Sequence, residues 1–175
     1  EVLKTVLVVD DHDLIRLGIC RLLSDVPGIN VIDQAASGEE AIVLVRKHRP
    51  DIVFMDIRMP GIGGLEATQR ILSQQPNTKV IVISAFNDDV YPMTLLKAGA
   101  SGYITKNADT DEIKTAIETV LLGKVYVSPR LAQMMVVNGL SNQSESPLSL
   151  FSPRELQIAE LITNGKRAND VAETL

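Results

Sequence analysis

Short apolar runs alternate with helical periods through residues 1–124. The runs Thr5–Val9, Asn30–Ala35, Ile52–Met55, Val80–Ser84 and Gly102–Thr105 are rich in β-branched residues and bounded by polar or turn-forming positions. That pattern predicts five strands. Ile15, Ile19, Leu22, Leu23 and Val26 recur at helical spacing, as do Ile113, Ala116, Ile117, Val120 and Leu121. Ser37 with Glu40, and Asp109 with Glu112, have the spacing of a capping box at two helix starts. Five strands alternating with five helices predict right-handed crossovers and a parallel sheet covered on both faces. The near-continuous apolar character of the first, third and fourth runs suits central strands of such a sheet.

The pattern changes after Lys124. Ser128-Pro129 reads as an N-cap and first helical position, opening a helix over about 129–138. The polar, breaker-rich stretch from Gly139 to Pro147 reads as a linker. Ser152-Pro153-Arg154-Glu155 is a further helix start, with Leu156, Ala159, Leu161 and Ile162 as its apolar face. Asn164-Gly165 ends that helix, and another begins near Ala168. The expected divisions are a domain over 1–124, a linker region over 125–150 and a helical piece over 151–175. That last piece is too short to bury a core alone, so its apolar face is expected to dock against the first domain or a second chain.

Composition narrows the class. An apolar content of 45% with 22% charged residues is globular. No apolar run approaches the ~20 residues that span a bilayer. A single cysteine, Cys20, forms no internal disulfide and favours a reducing cytoplasm. Net charge is −5, and division at Val125 gives 13 basic and 17 acidic residues before it and 4 and 5 after it. Neither side carries the basic footprint of a nucleic-acid-binding module.

The chemistry lies at the ends of the apolar runs. Asp10 and Asp11 follow the first run, Asp56 the third and Lys106 the fifth, while Ser84 ends the fourth. In an open α/β sheet, ligands bind beyond the carboxyl ends of the strands. Clustered carboxylates repel one another unless a cation joins them, and Mg²⁺ takes hard oxygen ligands together with phosphate oxygens. An ionised aspartate can accept a phosphoryl group, chemistry that needs chiefly positioning and charge neutralisation. Any one of these acids alone is more simply a turn residue or helix N-cap. An acid pair, an acid, a hydroxyl and a lysine on successive units make a site.

Val8-Val9-Asp10-Asp11-His12, the stretch Asp51 to Gly61, Ile83-Ser84-Ala85 and Gly102-Tyr103-Ile104-Thr105-Lys106 together resemble the receiver domain of bacterial two-component response regulators. The resemblance covers residues 4–123. It implies a flavodoxin-like five-stranded sheet of order 2-1-3-4-5 with helices on both faces, and a phosphoacceptor at Asp56. It further implies Mg²⁺ held directly by Asp11 and Asp56, through water by Asp10, and by the Arg58 carbonyl. Lys106 would contact the phosphoryl group, Ser84 would be drawn toward it, and Tyr103 would repack in response. A sensor histidine kinase would be the donor, and homodimerisation would follow activation.

Residues 152–175 resemble the opening of a helix-turn-helix domain of the LuxR/NarL type, which implies promoter DNA as the partner of the complete protein. That family's third, groove-reading helix would lie past Leu175, so specific DNA binding is not expected of residues 1–175 alone. Asp11 to Arg16 and Met59 to Thr68 look like the GacA/UvrY/LetA group of global regulators. The chain departs from many receivers in carrying Asn107, not proline, after the site lysine, so a trans bond is expected there.

Other residues carry simpler readings. His12 and His48 are expected on surfaces without a chemical role, and Cys20, Met134 and Met135 as packing residues. Phe86, two residues after Ser84, is a candidate shield of an acyl phosphate against water. Two alternatives stay open: a phosphorylation-independent dimerisation module, and a phosphatase of the haloacid-dehalogenase kind with Asp11 as nucleophile. In the latter, Leu14 stands where that motif usually has glycine.

Overall fold

A computed structural model describes residues 2–85 and 92–141. The order is β1 (Lys4–Val9), α1 (Asp13–Ser24), β2 (Ile29–Ala35), α2 (Gly38–His48), β3 (Ile52–Asp56), α3 (Gly63–Gln74), β4 (Lys79–Ser84), α4 (Pro92–Lys97), β5 (Gly102–Thr105), α5 (Thr110–Leu121), β6 (Tyr126–Val127) and α6 (Pro129–Ser141). The five expected strands form within one residue of their predicted limits. All pair in parallel, in the order β2-β1-β3-β4-β5-β6.

Alternation along each strand divides the core. Val6, Val8, Ile52, Phe54, Ile81, Ile83 and Ile104 face α1 and α5. Leu7, Val9, Val53, Met55, Val80, Val82 and Tyr103 face α2, α3, α4 and α6. Burial of each large side chain here contributes about 1.5–3 kcal/mol, which fixes strand register because a one-residue slip would exchange the two faces. The edge strand β2 is the most exposed of the five long strands, and its sequence is correspondingly the most polar.

The expected count of five strands is corrected to six. Tyr126-Val127 pairs with Gly102-Tyr103, and the flanking amides complete the ladder: Tyr126 N–H donates to Ser101 O at 3.0 Å and Ser128 N–H to Tyr103 O at 2.8 Å. Two residues cannot show an alternating pattern, so sequence periodicity has nothing to detect. Beyond β6, the helix expected at Ser128-Pro129 forms as α6 and packs its first turns on the sheet, with Val125, Val127 and Ala132 inside the core. The helix-turn-helix piece expected over 151–175, its docking, and the role considered for Phe86 lie outside the described residues.

Both cap pairs form, with a change of partner. Ser37 Oγ accepts from Glu40 N–H at 3.1 Å, and Glu40 Oε2 accepts from Ala36 N–H at 2.8 Å. Asp109 Oδ1 accepts from Glu112 N–H at 2.8 Å, while Glu112 turns to accept from the Tyr126 hydroxyl at 3.3 Å. The sixth strand thus borrows the carboxylate that a full capping box would use. Burial, and after it the Asp109 charge, raises the Glu112 pKa, while burial and Glu112 raise that of Tyr126.

Candidate functional site

The carboxyl ends of β1, β3, β4 and β5 converge because parallel strands all point the same way. β1 delivers Asp10 and Asp11, β3 ends on Asp56, β4 ends on Ser84, and Lys106 follows β5. The register aligns them: Asp56 pairs with Ile83, and Ser84 with Thr105. The loop after β1 is fixed from two sides. Asp10 Oδ1 accepts from His12 N–H at 2.8 Å, and Arg16 on α1 donates to the Asp10 carbonyl at 2.7 Å.

Asp10 is wholly buried and Asp56 is 1% exposed, whereas Asp11 is partly open. Lys106 Nζ bridges the first two, 3.1 Å from Asp10 Oδ2 and 3.1 Å from Asp56 Oδ2. Asp56 Oδ1 and Ser84 Oγ are buried without a hydrogen-bond partner. Unsatisfied buried polar atoms cost about 1–3 kcal/mol each, so they mark a place arranged for something other than stability. Burial, and then the charge of Asp10, pushes the Asp56 carboxyl up to about 6 despite Lys106. Burial alone would lower the Lys106 ammonium, but Asp56 and Asp10 overcome it and hold its pKa above the usual lysine value.

The donor set suits a divalent cation. Single ligand atoms of Asp10, Asp11, His12 and Asp56 lie within 4.8 Å of one another. Three carboxylates against one ammonium leave negative charge uncompensated, and Asp56 Oδ1 is an oxygen with no other partner. Hard oxygen donors of this number fit an ion of the Mg²⁺ type.

Placement of the remaining expected residues follows. Arg58 lies two residues beyond Asp56 in the loop before α3, with its side chain exposed. Tyr103 is buried, its hydroxyl donating to the Ala100 carbonyl at 3.3 Å. A small cavity between Ser84 and Tyr103 is walled by Ile57, Val82, Leu95 and Leu131, so α6 reaches the same space. No cis peptide occurs among the described residues, and the Lys106–Asn107 bond is trans as expected.

Sequence reasoning passed over two residues here. His12 is exposed, as expected of it, yet its Nδ1 lies 3.0 Å from Asp11 Oδ1 and 3.3 Å from Asp10 Oδ1. Its position beside an acid pair was the available signal. Gly64, in the first turn of α3, lies directly against the end of β3, where a Cβ would fall 1.9 Å from the Asp56 carbonyl oxygen. Only a residue without a side chain lets that helix sit under the acceptor, and Gly64 N–H donates to Ile57 O at 2.9 Å.

The family model described as the response regulator receiver domain matches residues 6–118. The chain belongs to that family. This receiver is 45% identical over 171 residues to the response regulator GacA of Pseudomonas aeruginosa, covering 97% of this chain and 80% of that protein. It is 41% identical over 171 residues to the response regulator UvrY of Escherichia coli, covering 97% and 78%. Among solved structures it is similar to a LuxR-family two-component response regulator from Aurantimonas, with a TM-score of 0.74 and 36% identity over 79% of this chain and 99% of that one. The receiver is therefore of the GacA/UvrY type, a class of two-component transcription regulators. No helix among its described residues is long and apolar enough to cross a membrane.

Proposed function

We propose that this receiver is a cytoplasmic switch in which Asp56 takes a phosphoryl group from a phosphohistidine of a sensor histidine kinase. The observation that carries this is the Asp56 carboxylate: buried at the end of a central strand, held through Oδ2 by Lys106, with Oδ1 unpartnered. In the transfer a carboxylate oxygen of Asp56 forms the new P–O bond as the donor's P–N bond breaks, and the donor imidazole leaves with the bonding pair. Lys106 stays beside the acceptor and neutralises charge on the phosphoryl oxygens. Asp11, Asp56 and the Arg58 carbonyl would hold Mg²⁺, with Asp10 acting through water; bound there, Mg²⁺ supplies charge neutralisation for the same oxygens.

The added charge then finds Ser84, whose buried hydroxyl lacks a partner and can donate to a phosphoryl oxygen. Its movement opens space beside the Tyr103 ring, and Leu131 of α6 lines that same space. Repacking there carries the state of Asp56 to the α4, β5 and α6 surface, favouring a homodimer and altering the promoter-DNA output through residues 151–175. The protein turns over no substrate beyond its own acyl phosphate.

Incubation with acetyl phosphate, with and without Mg²⁺, followed by intact mass and peptide mapping, tests the reading. One Mg²⁺-dependent adduct on Asp56 is expected. An adduct on Asp11 would point to phosphatase-type chemistry, and no adduct would leave a phosphorylation-independent module.

A further inference from the structure

The cation reading above rests on carboxylate oxygens, but one donor in the same space is a nitrogen. His12 Nδ1 lies 3.0 Å from Asp11 Oδ1 and 3.3 Å from Asp10 Oδ1, and the set including Asp56 spans no more than 4.8 Å. Donors on one octahedral ion with bonds of about 2.1 Å stand about 3 Å apart when cis and about 4.2 Å when trans. The widest separation in the set therefore exceeds a trans spacing by no more than about 0.6 Å.

The fold makes little other use of the ring. His12 occupies the N-cap position of α1 without a side-chain cap bond, and its side chain is 61% exposed. Asp56 Oδ1, in contrast, is buried and unpartnered, because Lys106 engages Oδ2 of both Asp10 and Asp56. A buried bare oxygen, a half-open carboxylate and a rotatable imidazole make a mixed donor set. Mg²⁺ takes oxygen and has little use for imidazole, whereas Zn²⁺, Ni²⁺, Co²⁺ and Cu²⁺ accept imidazole readily.

We infer that His12 gives this site a second mode, in which its Nδ1 joins Asp11 and Asp56 around a transition-metal ion of the Zn²⁺ class. The inference rests on the cation reading of the proposed function. With the ring turned away, the carboxylates serve a hard ion; with the ring turned in, an imidazole-accepting ion is held at the phosphoacceptor and excludes Mg²⁺.

The test uses the full chain with His48→Gln, which removes the other imidazole, paired with Asp33 at 3.1 Å. Zn²⁺ and Mg²⁺ affinities are measured by calorimetry, and nitrogen coupling by electron paramagnetic resonance with Cu²⁺ as probe, before and after adding His12→Gln. Zn²⁺ affinity is expected to fall at least about tenfold, with Mg²⁺ affinity within about twofold and the nitrogen coupling lost. A Zn²⁺ change below about twofold, an equal loss for Mg²⁺, or persistent nitrogen coupling would overturn the inference. Failure of the parent to bind either ion would instead overturn the cation reading beneath it.

Discussion

Asp51 and Asp56 bracket the same strand, and each has a lysine nitrogen at 3.1 Å, yet their chemistry is opposite. Asp51, just before β3, receives hydrogen bonds from Lys4 Nζ, Thr5 N–H and Thr5 Oγ1 at 2.9–3.1 Å. Burial tends to raise its carboxyl pKa, but the Thr5 and Lys4 bonds outweigh it and bring the value below the usual aspartate range. Asp56 is more deeply buried, faces the charge of Asp10, and has an oxygen with no donor, so its carboxyl rises to about 6. An ion pair alone therefore decides nothing. What separates an acid that ties strands together from one that waits for a reagent is whether its lone pairs are already used.

The sharpest way to break the comparison is Asp56→Asn. It should abolish the acetyl phosphate adduct entirely, as read by intact mass. In Mg²⁺-free buffer near pH 7 it should also stabilise the fold, on the order of 2–3 kcal/mol by urea unfolding. The sign follows from proton counting. Between about pH 4 and pH 6 the folded protein binds more protons at this group than the unfolded chain does. Its contribution to stability is complete below that window and is lost as pH rises through it. The gap between Asp56→Asn and the parent should accordingly widen from pH 4 to 7 and narrow when Mg²⁺ is added; a flat gap would refute the raised Asp56 carboxyl.

Gly64→Ala attacks the support beneath the acceptor. It should destabilise by about 1–3 kcal/mol and slow phosphorylation, because the new Cβ must displace the Asp56 carbonyl or the first turn of α3. Unchanged thermal unfolding would show that the close approach is easily relieved. At the satisfied end, Asp51→Ala should cost about 1–2 kcal/mol while leaving the phosphorylation rate alone, since the Thr5 donors lose their acceptor far from the site. That group's stabilisation is present above the ordinary aspartate range and is lost as pH falls through its lowered value. The smallest effect belongs to Ser84→Ala. Removing a buried hydroxyl without a partner should raise stability by about 1 kcal/mol, the low end of its cost, yet uncouple Tyr103, so phosphorylation no longer alters tyrosine fluorescence.

Much of this arrangement was legible in the sequence, for a physical reason. Asp10, Asp11, Asp56, Ser84 and Lys106 stand where apolar runs stop, and in a parallel sheet those stops share one edge. The long strands were equally readable, since a central strand must be apolar on both faces. β6 was not, because two residues carry no period and its partner is chosen by tertiary contact. His12 was assigned to the surface correctly, but exposure says nothing of which carboxylates lie beside the ring. The bare Oδ1 of Asp56 could not be read at all; unmet hydrogen bonding is a property of the assembled site.

The short sixth strand also has a mechanical consequence. Tyr103 is gripped on both sides, by Val82 in β4 and Val127 in β6, with its carbonyl tied to Ser128. Its backbone has no room to slide, so motion at this position belongs to the ring. α6 starts one residue after Ser128, leaving almost no slack between strand and helix. Thirteen residues of helix make a rod of about 20 Å. A tilt of about 10° where Leu131 is seated would sweep its far end through about 3 Å. A sub-ångström adjustment beside the acceptor is thereby geared up by leverage at the place where the chain leaves the sheet.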